Sequence, residues 1–253
     1  MSDLQTLRVV TWNIEEGGNG RLDAIHGVLS RSRADVIALQ EVTSQANLVD
    51  IANRLGMEWV FDEAQNGYHL AWLSQQPIRR SINHRSPALA RALLEIEIDW
   101  AGTPVSLFAA HLTSRHDRQL PLDEIGLIVR QMEIAGGNPH LLVGDFNSLA
   151  PGDPVGTPPD GVVPRGDALP GASRKVIDHL LESRYTDCFR QLHPTSPGFT
   201  YLSWTPWLRL DYMFASPQLT ELLHHCQIIP SSETLDASDH LPLLAILQKA
   251  EII

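Results

Sequence analysis

The stretch TWNIEEGGNG, residues 11–20, follows an apolar run and combines an asparagine, two adjacent glutamates and three glycines. Its reading decides the fold. One reading is a glycine-rich loop that cradles a pyrophosphate at a helix start, with Glu41 at the end of the next strand as a ribose ligand. The spacing Gly18-Asn19-Gly20-Arg21-Leu22-Asp23 argues against it. Asp23 stands where the third glycine belongs, and an acid at a helix start repels a pyrophosphate. The other readings are a plain turn and a strand end carrying metal ligands.

The surrounding pattern favours a layered α/β fold. Residues 7–14 and 35–42 are short, apolar and rich in β-branched side chains, as buried strands are. Between them Leu22, Ile25, Val28 and Leu29 fall at helical spacing. A second helix is expected over 44–56, starting at Ser44 and stopping at Gly56. Strands then dominate over 58–63, 68–75, 78–84, 91–99 and 104–112. A helix over 122–136 leads to a strand over 140–146. Residues 150–171, rich in Pro, Gly and Asp, read as a long surface loop. A helix over 174–183 and strands over 200–204, 208–216, 224–230 and 241–247 complete the chain. No linker divides it, and the two halves have similar element orders, so one domain over 1–253 with two sheets packed face to face is expected.

Several of these strands end in polar residues of one kind. Gln40 and Glu41 close one strand, and His111 another. Asp145 and Asn147 close a third, Asp211 opens a fourth, and Ser238, Asp239 and His240 precede the last. Side chains alternate along a strand, so Asn13 and Glu15 share a face if the strand persists, as do Asp145 and Asn147. Singly, each has an ordinary reading as a cap, a turn residue or a satisfied core histidine. Together they form a group of carboxylates that a divalent cation would satisfy.

The motifs TWNIEEG, LQEV, AAHL, GDFNS, RLDYMF and SDHLPL, in that order over residues 11–243, resemble those of the endonuclease/exonuclease/phosphatase superfamily. The resemblance implies a four-layer α/β/β/α sandwich of two packed mixed β-sheets flanked by helices. It also implies metal-dependent phosphoester hydrolysis, with Mg²⁺ or Mn²⁺ as cofactor and a phosphodiester as the expected substrate. Carried over residue by residue, it makes Glu41 the principal metal ligand and Asn13 its support. Glu15 and Asp239 are further acidic groups near the metal. Asp145 orients or deprotonates the attacking water, and Asn147 holds the phosphate or the water. His240, paired with Asp211, is the motif histidine; that pair is the alternative general base. His111 contacts the phosphate or protonates the leaving group.

The remaining composition bounds the substrate. The chain has 253 residues and is 43% hydrophobic, enough for a large core. Its net charge of −11 opposes sequence-independent coating of nucleic acid, which relies on a basic surface. Arg115, with His116 and Arg118, could reach a substrate phosphate or form a solvated basic loop. Trp204 and Trp207 could stack on a base or lipid-like group, or pack their loop onto the sheets. Cys188 and Cys226 need not pair in a domain of this size. No apolar run approaches the length of a membrane span and no signal peptide is evident, so a cytoplasmic protein without an evident protein partner is expected. The substrate is expected to be a phosphoester in a small molecule, a lipid headgroup or a nucleic acid. The rival readings are a nuclease acting on DNA or RNA ends and a catalytically silent phosphate- or nucleotide-binding protein.

Overall fold

The computed structural model describes residues 4–250, apart from residues 63, 65, 66, 88, 90, 114–118, 135, 136, 165, 170, 171 and 173. Among the described residues there are twelve strands: β1 (Leu4–Asn13), β2 (Val36–Val42), β3 (Glu58–Asp62), β4 (His69–Ser74), β5 (Ile78–Asn83), β6 (Leu93–Trp100), β7 (Thr103–His111), β8 (His140–Asp145), β9 (Thr186–Asp187), β10 (Asp211–Ala215), β11 (Leu223–Ile228) and β12 (Leu243–Ala250). They form two six-stranded sheets, ordered β11-β12-β1-β2-β4-β3 and β5-β6-β7-β8-β10-β9. Each sheet is mixed. In the first, β1 and β2 are parallel; in the second, β7 and β8 are parallel; the other pairings are antiparallel.

Parallel neighbours need a crossover, and a helix supplies each one. Helix α1 (Leu22–Ser32) joins β1 to β2. Helix α2 (Gln45–Leu55) follows β2, and the Ser44 hydroxyl caps it by accepting from the Asn47 N–H at 3.3 Å. Gly56 ends it in the left-handed conformation at φ 66°, which a glycine adopts without strain. Helix α3 (Gln119–Ile134) joins β7 to β8, and α4 (Lys175–Glu182) follows the long loop.

Side-chain alternation divides the apolar residues among three layers. Val9, Val36 and Trp72 of the first sheet meet Ile96, Leu107, Val143 and Met213 of the second in the central core. On the outer face of the first sheet, Val10, Trp12, Ile37 and Leu39 pack with Ile25, Val28, Leu29, Leu48 and Ile51 of α1 and α2. On the outer face of the second, Phe108, Leu142, Tyr212 and Phe214 pack with Ile125, Ile128, Val176, Ile177 and Leu180 of α3 and α4. The result is the expected α/β/β/α sandwich.

The expected strand over 200–204 is absent. Tyr201 makes only isolated bridges, to Leu208 and His240. The segment folds back on itself instead, with Trp207 N–H donating to the Tyr201 carbonyl at 2.8 Å. Cys188 and Cys226 are buried and unpaired. Among the described residues, no helix is long and apolar enough to cross a membrane.

Candidate active site

The polar strand ends continue the inward-facing rows of the central core. Val9 lies in that core, and Asn13 falls on the same face two pleats later. Ala109 precedes His111 in the same phase, and Val143 precedes Asp145. Cross-strand register sets His111 opposite Asp145, and Asp145 opposite Asp211. The parallel pairs of both sheets therefore deliver these groups to one end of the sandwich, outside the strand carboxyl ends. The approach of β8 to β7 depends on Gly144: a Cβ there would lie 1.8 Å from the Ala110 carbonyl oxygen.

Glu41 reaches the site by a different route. Alternation places Gln40, not Glu41, on the inner face, and Gln40 is buried there with its Nε2 donating to Thr11 Oγ1 at 3.0 Å. A bulge between Gln40 and Val42 and a φ of 60° at Glu41 turn its carboxylate back toward the centre. Asn13 Nδ2 then donates to Glu41 Oε1 at 3.2 Å and to Asp145 Oδ2 at 3.1 Å, joining the two sheets. The Glu16 N–H donates to Glu41 Oε2 at 3.2 Å.

This donor set fits a divalent cation. Glu41, Asp145 and Asp239 line one cavity, and carboxylate oxygens are the ligands hard cations take. The charges of Asp145 and Asp239 are poorly compensated by the protein. Burial, reinforced by the Asp211 charge, pushes Asp145 up to about 6 against the opposing effect of His240. Burial and the Glu15 and Glu41 charges push Asp239 up to about 6 as well. Oδ1 of Asp211 is buried without a hydrogen-bond partner. Asp145, Asp211 and His240 also present ligand atoms within 4.8 Å of one another. We read that trio differently, because a protonated imidazole is not a ligand.

His240 is held as an imidazolium. Burial alone would lower its pKa, but the Asp211 and Asp145 charges and the Asp211 hydrogen bond raise it to about 10. Its Nδ1 lies 2.9 Å from Asp211 Oδ2, and its Nε2 lies 3.7 Å from Asp145 Oδ2. Three contacts fix the backbone that carries it. Trp12 Nε1 donates to the His240 carbonyl at 2.9 Å, Ser238 Oγ donates to the Asn13 carbonyl at 2.6 Å, and the His240 N–H donates to Ser238 Oγ at 3.1 Å. The Tyr201 ring packs on the imidazole at 4.9 Å between centroids.

His111 is the electrostatic opposite. Burial, the neighbouring Arg91 and His240 hold it well below the ordinary histidine value, so the ring is neutral. Arg91 Nη1 donates to this ring, and its guanidinium stacks over Tyr68 at 5.1 Å. Asn147, at φ 47°, closes the group. Its backbone N–H donates to Asp145 Oδ1 at 2.9 Å, and its Nδ2 donates to the Leu112 carbonyl at 3.1 Å and lies 3.2 Å from His111 Nε2.

Asn13, Glu41, His111, Asp145, Asn147, Asp211, Asp239 and His240 therefore gather at one end of the molecule. Glu15 lies close enough for its charge to act on Asp239, but it does not share the Asn13 face as expected. β1 ends at Asn13, Glu15 turns to φ 48°, and its carboxylate pairs with Arg21 instead of sharing the Asn13 face. Trp207 is only 3% exposed and forms part of the cavity wall, whereas Trp204 is 55% exposed. Arg115, with His116 and Arg118, lies outside the described residues. Sequence reasoning missed Arg91, whose one visible signal was a cation immediately before a buried strand.

Comparison with known proteins agrees with this fold. The fold is similar to that of an AP endonuclease from Archaeoglobus fulgidus, at TM-score 0.78 and 20% identity over 95% of this chain and 99% of that one. A 3'-5' exonuclease from Neisseria meningitidis matches at 0.76 and 21%, over 94% and 98%. A truncated TDP2 from Caenorhabditis elegans matches at 0.70 and 16%, over 96% and 98%. Identities this low carry the fold alone. No curated protein matches the chain by sequence. The model of the endonuclease/exonuclease/phosphatase family matches residues 10–240. The chain thus belongs to the endonuclease/exonuclease/phosphatase family, whose enzymes depend on divalent metal, and it is a hydrolase acting on phosphoester bonds.

Proposed function

We propose that the chain is a Mg²⁺- or Mn²⁺-dependent phosphodiesterase that cleaves its substrate by in-line attack of water. The observation that supports this most is the meeting of Glu41 and Asp145 across the Asn13 amide, beside His240 and Arg91. Glu41, with Asn13 beside it, holds the cation, and Asp239 is the further acidic group within the same cavity. A divalent cation bound there polarises a phosphoryl oxygen and offsets charge developing in the transition state.

The chain's own groups do the rest. Asp145 has its proton affinity raised toward neutrality by burial, which suits a group that orients and deprotonates water. Asn147 and Arg91 line the cavity and are the groups placed to hold phosphoryl oxygens. His240 carries a proton fixed by Asp211, so it serves as a charged donor to the phosphoryl group rather than as the base. His111, neutral and buried, orients Arg91 and Asn147, a role that departs from protonating the leaving group.

The test is release of nitrophenol from bis(p-nitrophenyl) phosphate and p-nitrophenyl phosphate with Mg²⁺, Mn²⁺ or EDTA. The diester is expected to be the better substrate, and EDTA is expected to stop release. Release that persists in EDTA contradicts the metal-dependent reading, and preference for the monoester contradicts the diesterase.

A further inference from the structure

Asp211 and His240 stand on different sheets. Asp211 opens β10 in the second sheet, and His240 lies just before β12 in the first. Strand pairing within a sheet therefore does not set their separation. The side chains contribute one bond, from His240 Nδ1 to Asp211 Oδ2 at 2.9 Å, and Asp211 Oδ1 is buried without a partner. The aim of the carboxylate must come from whatever holds the two backbones together.

Thr200 does this. It is fully buried and does not line the catalytic cavity. Its Oγ1 accepts from the Leu210 N–H at 3.0 Å and from the Asp211 N–H at 3.2 Å. These two bonds use both lone pairs of the hydroxyl. Its carbonyl accepts from the Leu241 N–H at 2.8 Å. One residue thus grips the backbone at Asp211 and the backbone immediately after His240. The next residue, Tyr201, lays its ring on the imidazole.

The surroundings fix Thr200 in turn. Its own N–H donates to the Leu208 carbonyl at 2.7 Å. Gly198, at φ 68°, lets the chain pass close to its neighbours: a Cβ there would lie 2.5 Å from Phe189 Cε1 and 2.9 Å from Arg209 Cδ. Arg209 is itself buried and bound by Asp153 at 2.7 Å and Asp187 at 2.6 Å, which anchors the chain entering β10.

We propose that Thr200 is a positioning residue for the reaction, whose side-chain oxygen and carbonyl together set the separation of Asp211 and His240. The proposal rests on the reading of His240 as a charged donor to the phosphoryl group. A donor stabilises a transition state only where its N–H meets the developing charge, so a displaced imidazole costs rate more than binding. Replacing the hydroxyl by a methyl keeps the shape and leaves two buried N–H groups unpaired.

The test compares Thr200→Val with Thr200→Ser, which keeps the oxygen. The first readout needs no turnover: the His240 Nδ1–H resonance in metal-free protein labelled with ¹⁵N-histidine, assigned by its loss in His240→Ala. The second is the steady-state kinetics of bis(p-nitrophenyl) phosphate hydrolysis with Mn²⁺. Thr200→Val is expected to move the resonance or lose it to exchange, and to lower kcat at least about 10-fold with KM within about 3-fold of wild type. Thr200→Ser is expected to keep the resonance and to stay within about 3-fold in kcat. If Thr200→Val does not fold, Thr200→Cys, whose sulfur is a weak acceptor, is read in the same way. A folded valine variant with the wild-type resonance and kcat overturns the proposal, even with a lowered unfolding midpoint. So does a serine variant as impaired as the valine one, which would assign the effect to the methyl group. Absence of hydrolysis by the wild type contradicts the phosphoesterase reading instead, and the resonance still tests the positioning.

Discussion

The two sheets bring different chemistry to the site by different structural means. The second sheet supplies His111, Asp145 and Asp211, all within 2% of full burial and directly opposite one another in register. Regular pleating places them, and burial tunes the proton affinities of His111 and Asp145. The first sheet supplies Asn13 at the end of a regular strand, but Glu41 only through a bulge and a left-handed backbone. Its carboxylate is more open, with 18% of the side chain exposed. The difference assigns labour: the second edge holds and tunes protons, whereas the first presents oxygen ligands at an accessible mouth. Strain at Glu41 is the cost of an orientation that alternation alone forbids.

The largest expected effect breaks the second edge outright. In Gly144→Ala a Cβ lands 1.8 Å from the Ala110 carbonyl, and backbone has no rotamer with which to yield. β7 and β8 must separate, and the variant is expected to lose at least about 3 kcal/mol or fail to fold. Chemical denaturation followed by circular dichroism measures it. A variant within about 0.5 kcal/mol of wild type would mean that the two strands are not in close register.

That asymmetry also explains what could be read in the chain. Asp145 and His111 were legible because they extend apolar rows whose phase is visible in sequence; Asn147, at φ 47° past the end of β8, was identified through its motif. Two packed sheets with helices around them were likewise legible from that phase, whereas the four-layer order came from the family resemblance. Glu41 was identified through the motif it sits in; its phase alone would have sent it to the outer face. The face expected to be shared by Asn13 and Glu15 failed because alternation was extended past the point where the strand stops. The segment 200–204 has strand-like composition, yet Tyr201 bonds back to Leu208, a tertiary preference that local pattern does not record. Arg91 was missed because its partners His111 and Tyr68 lie twenty or more residues away in sequence.

Removing one group from each edge gives the next largest effect. Glu41→Ala and His240→Ala should each reduce turnover of bis(p-nitrophenyl) phosphate at least ~100-fold, the scale of lost electrostatic or acid–base help. Steady-state kinetics on variants with native circular dichroism checks it. Wild-type turnover in either would remove that edge from the chemistry.

A smaller effect concerns stability and pH. Asp239 is raised from 3.8 to about 6 by burial and neighbouring acids, so the folded chain holds this proton more tightly than the unfolded one. The associated stabilisation is complete below pH ~3.8 and is lost as pH rises through ~6. In EDTA, Asp239→Asn should therefore be more stable than wild type at pH 8 by about 1–2 kcal/mol, with the gap closing by pH ~4. Urea titrations at the two pH values measure it. A gap that is constant across the range would show that the Asp239 charge carries no folded-state penalty.

The central claim is that the first edge binds metal while the second handles protons. Mn²⁺ binding to wild type, Glu41→Ala and His240→Ala, measured by calorimetry in the absence of substrate, tests this most directly. Loss of Glu41 should weaken Mn²⁺ at least about 10-fold, since it removes a carboxylate ligand, while loss of His240 should change it less than about 3-fold. Equal weakening in both variants, or weakening in His240→Ala alone, would contradict the division.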